Sequence, residues 1–263
     1  MKNYYLDFVS QKLNIPIKNL NAAISLLEDG NSVPFISRYR KEKTGNLDEI
    51  ALFEIEASLK RYYELEERKD TILRTIEDQG LLTDDLRKSI ENEVEPTKLE
   101  DLYLPFRPKR RTKAIIAREK GLEPLAQMIL AQKNDDPEFL AKAYINKDVP
   151  TTEEALSGAR DIIAETISEN AAVRDNLRQH FIRKAFISSQ VVKGKEEEAA
   201  TYRDYFDFSE QIKKCKPHRL MAMMRGDKEG LLRVRVTVET EEMEDIVAKR
   251  FVKSRNKAAE QVT

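Results

Sequence analysis

The sequence predicts a mainly α-helical protein, an elongated multi-helix array around one long helix, with a minor β element near residues 186–240. Three observations support this fold class. Glycine accounts for only 8 of the 263 residues while 35% of them are charged, a balance that favours helices. Residues 48–79 contain neither proline nor glycine and carry an apolar stripe at helical spacing. One later segment, LLRVRVTVE, instead alternates apolar and polar residues as a strand does.

The long helix is the strongest of these signals. Its apolar positions recur every three or four residues, at Leu52, Ile55, Leu59, Tyr62, Leu65, Ile72 and Ile76. An uninterrupted helix of about 32 residues would be roughly 48 Å long, so shorter helices are expected to dock along it. A coiled-coil dimer is the alternative, but Lys69 in the seam favours packing within one chain.

Two short helices, over residues 4–13 and 17–28, are predicted before the long one. Gly30 follows the second helix, where a left-handed C-terminal cap belongs. A turn at residues 14–16 joins the pair, which resembles a helix-turn-helix in outline. The second helix carries few side chains that read bases, and this counts against sequence readout in the major groove.

Residues 32–45 are predicted to form a basic loop that leads into the long helix. Its positive side chains are Arg38, Arg40, Lys41 and Lys43. Phe35 and Ile36 are expected to anchor the loop to the core. In one interpretation the loop contacts phosphates while Tyr39 stacks on a base. In the other, the loop is a solvated entry to the helix, and its arginines pair with glutamates on the helix surface.

A second basic stretch follows a predicted helix over residues 84–94 that Thr83 caps. Its positive side chains are Arg107, Lys109, Arg110, Arg111, Lys113, Arg118 and Lys120. Pro105 and Pro108 predict extended backbone in its first half, and Thr112 is expected to cap a helix that ends at Gly121. The stretch suits a nucleic-acid backbone or an acidic partner. Alternatively, its arginines bond the carbonyl ends of helices.

Helices are predicted throughout residues 123–185, where Thr151 with Glu154 forms a capping box and Asn170 caps a further helix. From residue 186 the pattern changes. The segment FISSQVV is a candidate strand. Because a single strand is not stable alone, LLRVRVTVE is expected to pair with FISSQVV or with sequence beyond Thr263. We therefore predict three segments: residues 1–79 with the helix-turn-helix-like part and the long helix, residues 80–185 as a helical array, and residues 186–263 as a helical segment with short strands.

Composition and motifs exclude several classes of function. A formal net charge of -1 provides no global attraction to nucleic acid, so any such binding must come from local patches. The single cysteine, Cys215, fits a reducing compartment, and no run of 18 apolar residues marks a membrane span. We expect a cytoplasmic protein. No glycine-rich phosphate loop is present, and Cys215 with His218 lacks further zinc ligands. We predict no enzyme, no cofactor, no metal site and no small-molecule substrate.

Four segments carry a resemblance to a known family. They are VPFISRYRKEKTGNLDE, LEDLYLPFRPKRRTKAIIAREKGLEPLA, YRDYFDFSE and PHRLMAMMRGDKEGLL. In this order they resemble the N-terminal region of the Tex family of bacterial transcription accessory proteins. The resemblance implies a helical protein with RNA or DNA, and the transcription machinery, as partners. It also implies that the chain is the first part of a longer protein, ahead of ribonuclease-H-like and S1 domains.

The predicted function is sequence-nonspecific contact with an RNA or DNA backbone by the two basic stretches. The residues predicted to make it are Arg38, Arg40, Lys41, Arg107, Lys109, Arg110, Arg111 and Lys113. The alternative is a helical scaffold or protein-docking module with no intrinsic nucleic-acid binding. The two hypotheses differ in one structural respect: phosphate-binding loops should be exposed and converge on one face, whereas structural ones should be buried in ion pairs with carboxylates.

Overall fold

The computed structural model describes residues 1–108, 111–133 and 136–262, and the chain divides into two compact units, Met1–Arg107 and Pro108–Thr263. Both units are rich in helices. The strands among the described residues form one three-stranded sheet in the second unit. The predicted mainly α fold with a minor β element is therefore confirmed.

The first unit is entirely helical. Its α-helices are α1 (Asn3–Leu13), α2 (Ile17–Glu28), α3 (Val33–Tyr39), α4 (Lys41–Thr44), α5 (Glu49–Asp78), α6 (Asp84–Asn92) and α7 (Pro96–Tyr103). A 3₁₀ turn, Leu104–Phe106, follows α7.

The predicted long helix is α5, and its length and its buried stripe are confirmed. Asp48 caps its N-terminus by accepting a hydrogen bond from the Ala51 N–H at 2.7 Å. Gly80, with a φ of +69°, follows its C-terminal end. Every predicted stripe position is buried, because the other helices of the unit pack against this face. Lys69, in the same stripe, is also buried.

Two features of the first unit differ from the sequence prediction. Residues 32–45 form the short helices α3 and α4 instead of a loop, because Val33 and Ile36, three residues apart, are both buried and Pro34 suits the first helical turn. The boundary expected after residue 79 lies inside the unit. Ile90 of α6 and Leu99 of α7 bury their side chains in the same core as α5, so the first unit extends to Arg107.

The pair α1 and α2 is present as predicted, with Asn14 in the left-handed conformation at the turn. Leu20, Ala23 and Ile24 of α2 are buried in the core. A role for this pair in reading DNA stays a prediction.

The second unit contains the remaining elements. Its α-helices are α8 (Lys113–Glu119), α9 (Glu123–Ala131), α10 (Pro137–Ala141), α11 (Thr152–Ser168), α12 (Ala171–Lys184), α13 (Pro217–Lys228), α14 (Thr240–Phe251) and α15 (Lys257–Glu260). Its strands are β1 (Phe186–Val191), β2 (Asp207–Gln211) and β3 (Leu232–Thr237).

The helical core of this unit is formed mainly by α8, α9 and α11. The predicted caps are confirmed: Thr112, Thr151 and Asn170 each accept a hydrogen bond from a first-turn N–H, in α8, α11 and α12 respectively. Gly158 lets α11 approach its neighbours closely, because a Cβ there would lie 2.4 Å from Cδ1 of Leu122.

The sheet has the order β2-β1-β3, and both strand pairs are antiparallel. The strands predicted from FISSQVV and LLRVRVTVE are β1 and β3, and they pair with each other. β2 was not predicted, because DFSEQ lacks a regular apolar alternation. Helix α13 packs against one face of the sheet through buried Met223 and through Gly226, which contacts the side chain of Leu232.

Candidate functional site

The first candidate site is the surface formed by α3 and α4, which we call the α3–α4 surface. Val33, Ile36 and Ser37 point into the core and are buried. Helical spacing therefore turns Phe35, Arg38 and Tyr39 outward. Ile36 anchors the segment as predicted, but Phe35 does not: its side chain is 37% exposed.

The outward aromatic rings form a small platform. Phe35 and Tyr39 lie one helical turn apart, with ring centroids separated by 5.3 Å. The guanidinium of Arg40 lies 5.4 Å from the Phe35 centroid, within cation–π range. Tyr39 is 66% exposed, so one side of the platform faces solvent.

A close contact holds α4 against α2. Gly45 ends α4 with a φ of +68°, and a Cβ at this position would lie 2.2 Å from Nδ2 of Asn19. Only glycine satisfies both the left-handed backbone and this approach. Thr44 is fully buried beside it, and its hydroxyl donates to the Lys41 carbonyl at 3.0 Å. The backbone that carries Lys41 is therefore held by packing.

The positive side chains of the α3–α4 surface are exposed. Arg38, Arg40 and Lys41 form no ion pair with another residue that the structure describes. Among the residues that the structure describes, the Arg40 guanidinium donates one hydrogen bond, to the neighbouring Tyr39 carbonyl at 3.3 Å. This arrangement leaves three cations available to an anionic ligand.

Arg107 lies at the opposite end of the first unit's long helix. The Gln79 side-chain amide, just after α5, donates to the Phe106 carbonyl at 3.0 Å, whereas α4 leads directly into the start of α5. The 30 residues of α5 span roughly 45 Å, so Arg107 and the α3–α4 surface do not form one continuous patch. Arg107 is exposed and makes no ion pair with another described residue.

The remaining described residues of the second basic stretch belong to the second unit and behave differently from one another. Arg111 pairs with Glu119 at 2.8 Å on the surface, whereas Lys113 is exposed and unpaired among the described residues. Arg118 bridges Glu123 at 2.7 Å and Glu165 of α11. Arg118 therefore connects helices within the unit. Lys109 and Arg110 lie outside the described residues.

Other chemistry is sparse in the described residues. No group of three or more histidine, cysteine, aspartate or glutamate side chains is arranged to hold a metal ion there. Burial raises the pKa of the Cys215 thiol, with Glu210 adding to the effect, so this cysteine is not an activated nucleophile. No described helix is long and apolar enough to cross a lipid bilayer.

Sequence reasoning missed two features that the structure brings out. Phe35 was assigned to the core, although the three-residue spacing of Val33 and Ile36 indicates that Phe35 points outward. The arginines of β3 were noted only as part of an alternating pattern. Register with β1 places them on one exposed face of the sheet.

The fold thus defines a mainly α-helical protein with a long central helix in its first unit and a small antiparallel sheet in its second. Two family models match the chain. One is described as the Tex-like protein N-terminal domain and matches residues 3–77, and the other is described as Tex central region-like and matches residues 132–262.

Individual relatives agree with the family models. The transcriptional accessory protein Tex of Neisseria gonorrhoeae is 45% identical over 251 residues, which cover 92% of this chain and 33% of that protein. Protein tex of Bordetella pertussis is 47% identical over 222 residues, 84% of this chain and 28% of that protein. The S1 RNA-binding domain-containing protein 1 of Homo sapiens is 28% identical over 243 residues, 89% of this chain and 24% of that protein.

The chain therefore belongs to the Tex family. It spans about a third of the length of the bacterial relatives, and the two models assign it to the N-terminal and central regions of the family.

Proposed function

We propose that this chain is a nucleic-acid-contacting part of a Tex-like transcription accessory protein, and that the α3–α4 surface binds the backbone of RNA or DNA without reading its sequence. The observation that carries the proposal is the exposed platform of Phe35 and Tyr39 beside three unpaired cations. Cations that have no carboxylate partner are available to neutralise phosphates, and an exposed tyrosine ring provides a face on which an unpaired base can stack.

The names of the relatives are consistent with this proposal. One is a transcriptional accessory protein and another is named for an S1 RNA-binding domain. Because the chain covers only part of these proteins, contact with the transcription machinery is a further part of the proposal. We also propose that the protein acts in the cytoplasm and that this chain has no catalytic activity.

Fluorescence anisotropy tests the proposal directly. A labelled single-stranded RNA and a DNA duplex are titrated with the chain across about 50 to 200 mM salt. The test variant carries Arg38→Glu, Arg40→Glu and Lys41→Glu. The matched control reverses three other exposed cations, Lys60, Arg74 and Lys88, which form no ion pair with a described residue.

Salt-dependent binding is expected for the wild-type chain and the control. With Arg38, Arg40 and Lys41 reversed, we expect the slope of log affinity against log salt on single-stranded RNA to fall by roughly 2, since each phosphate contact contributes about 0.7. Tyr39→Ala should weaken binding to the single strand and leave binding to the duplex unchanged, because only an unpaired base can stack on the ring. Equal losses in the test and control variants would contradict a specific role for the α3–α4 surface.

The second basic stretch is tested separately. Arg107→Glu and Lys113→Glu remove exposed cations that form no ion pair with a described residue. A reduced salt slope in either variant would assign a phosphate contact to the replaced residue. The pairing of Arg111 and Arg118 with carboxylates favours the second candidate function, a helical scaffold, for that part of the stretch. Absence of binding by the wild-type chain would leave the scaffold as the function of the whole chain.

A further inference from the structure

The outer face of the three-stranded sheet is an exposed surface in the second unit. Residues that pair directly across antiparallel strands project from the same face of a sheet. The register pairs Phe186 with Thr237, Ser188 with Arg235, and Gln190 with Arg233. We call these six residues the sheet surface.

The opposite face of the sheet is largely covered. Ile187, Ser189 and Leu232 are buried there and α13 packs against it, while Val236, at the end of β3, is 50% exposed. Glu210 of β2 also belongs to that face, where it pairs with Arg219 of α13 at 3.0 Å. Packing against α13 thus leaves the sheet surface as the side of the sheet that faces solvent.

The two arginines of the sheet surface are free cations. Arg233 and Arg235 are exposed and form no ion pair with another described residue. They lie two residues apart on one strand, so their Cα atoms are separated by roughly 7 Å. Asp207 is the carboxylate on this face. Gln190 of β1 lies between Asp207 of β2 and Arg233 of β3. The Cα atoms of Asp207 and Arg233 are therefore separated by two strand spacings, roughly 9.6 Å.

An exposed aromatic ring lies on the same face. Phe186 is 44% exposed and makes no ring contact with another residue that the structure describes. Arg235 is its diagonal neighbour on β3, one row along the sheet. Ser188, Gln190 and Thr237 surround these residues with side chains that both donate and accept hydrogen bonds.

We propose that the sheet surface binds single-stranded nucleic acid. Arg233 and Arg235 contact consecutive phosphates, Phe186 stacks on one base, and the polar side chains of β1 bond base edges or the sugar. Duplexes are excluded as the main ligand, because a phenylalanine ring stacks only on a base that has left its pair. The proposal shares its class of ligand with the α3–α4 surface, but it concerns different residues in the other unit.

The test uses the full 263-residue chain in a background with Arg38→Gln, Arg40→Gln and Lys41→Gln, which removes the three cations assigned to phosphate contacts on the α3–α4 surface. Anisotropy is measured with labelled oligo(U), oligo(dT) and an abasic strand, each of about 12 nucleotides, across salt. The variants are Arg233→Gln with Arg235→Gln, Phe186→Ala, and a control with Lys60→Gln and Arg74→Gln. Far-UV circular dichroism checks that each variant folds.

The double arginine variant should lower the salt slope by about 1.4, because two phosphate contacts are lost. Phe186→Ala should weaken binding to the base-containing strands roughly tenfold and leave binding to the abasic strand unchanged. Comparison of oligo(U) with oligo(dT) distinguishes RNA from single-stranded DNA as the preferred ligand. The control should bind as its background does.

An unchanged salt slope in the arginine variant, or an equal loss on the abasic strand in the Phe186 variant, would overturn the inference. If the background chain binds none of the strands, the sheet surface is rejected as a binding site and the α3–α4 surface is supported. If the background chain binds as the wild type does and the sheet variants do not bind, the sheet surface is supported and the α3–α4 surface is rejected. No binding by the wild-type chain would reject both surfaces as nucleic-acid sites.

Discussion

Replacing Glu66 with glutamine should destabilise the first unit by about 3 kcal/mol at pH 7. Glu66 accepts hydrogen bonds from the Tyr4 hydroxyl at 2.6 Å and from Lys69 at 3.0 Å, and it also pairs with Lys2. Lys69 is only 3% exposed, and its ammonium also donates to the Tyr4 hydroxyl and to the Glu91 carbonyl.

The magnitude follows from the charge left behind. Removal of one partner of a buried ion pair costs about 3 to 5 kcal/mol, because the other charge remains buried without compensation. Lys69 keeps two neutral hydrogen-bond acceptors in the variant, so the lower end of this range applies. Replacing both residues, as Glu66→Leu with Lys69→Met, removes the buried charge and should recover most of the loss.

Urea unfolding followed by tyrosine fluorescence is the suitable assay, because the chain has no tryptophan and most of its nine tyrosines lie in the first unit. With a slope of about 2 to 3 kcal/mol per molar urea, the midpoint should fall by about 1 to 1.5 M. The matched control is Glu64→Gln, an exposed carboxylate on the same helix, and its effect should stay within about 0.5 kcal/mol.

The effect should also depend on pH in a defined direction. Burial opposes ionisation of Glu66, but hydrogen bonds from Lys2, Tyr4 and Lys69 outweigh it and hold the pKa of Glu66 below its ordinary value. The stabilisation is therefore complete above the unfolded pKa of about 4.3 and disappears as pH falls through the lower folded pKa. The stability difference between the wild type and Glu66→Gln should shrink as pH falls below the unfolded pKa and vanish only below the lowered folded pKa of Glu66. Equal midpoints at pH 7, or a difference that grows on acidification, would refute the reasoning.

Three further predictions concern the second unit, and all are checked by urea unfolding followed by circular dichroism. Gly226→Ala should destabilise the sheet by about 1 to 3 kcal/mol, because the new Cβ would lie 2.7 Å from Cδ1 of Leu232. No change in stability would mean that the Leu232 side chain moves away without cost. Gln132→Ala should lower the free energy of unfolding by about 3 kcal/mol, because the buried amide donates to the Phe251 carbonyl at 2.6 Å and accepts from the backbone N–H groups of Lys253 and Ser254. A loss no larger than that caused by replacing an exposed glutamine would contradict this. Asn170→Ala should cost about 1 kcal/mol through loss of the α12 cap, and Asn170→Ser should restore most of it.

Local sequence patterns determined the regular elements of this protein. The apolar stripe and the absence of proline and glycine identify α5 almost to the residue, because helix formation depends on side chains within one or two turns. Thr112, Thr151 and Asn170 cap helices through hydrogen bonds to residues three positions away, so their roles are also visible in the sequence. The resemblance to the Tex family rests on equally local motifs.

The tertiary structure decided which side chains are free and which are paired. Arg38 and Arg118 both occur in basic stretches, yet Arg118 meets Glu165, 47 positions away, while Arg38 stays exposed. The outward orientation of Phe35 depends on the burial of Val33 and Ile36 in a core built by distant helices. The sheet surface depends on the register of β1 with β3, which pairs Ser188 with Arg235, 47 positions later in the chain, although a strand and a helix lie between them in sequence. Ion pairs, burial and strand register all join residues far apart in the chain, and for that reason only the folded structure determines them.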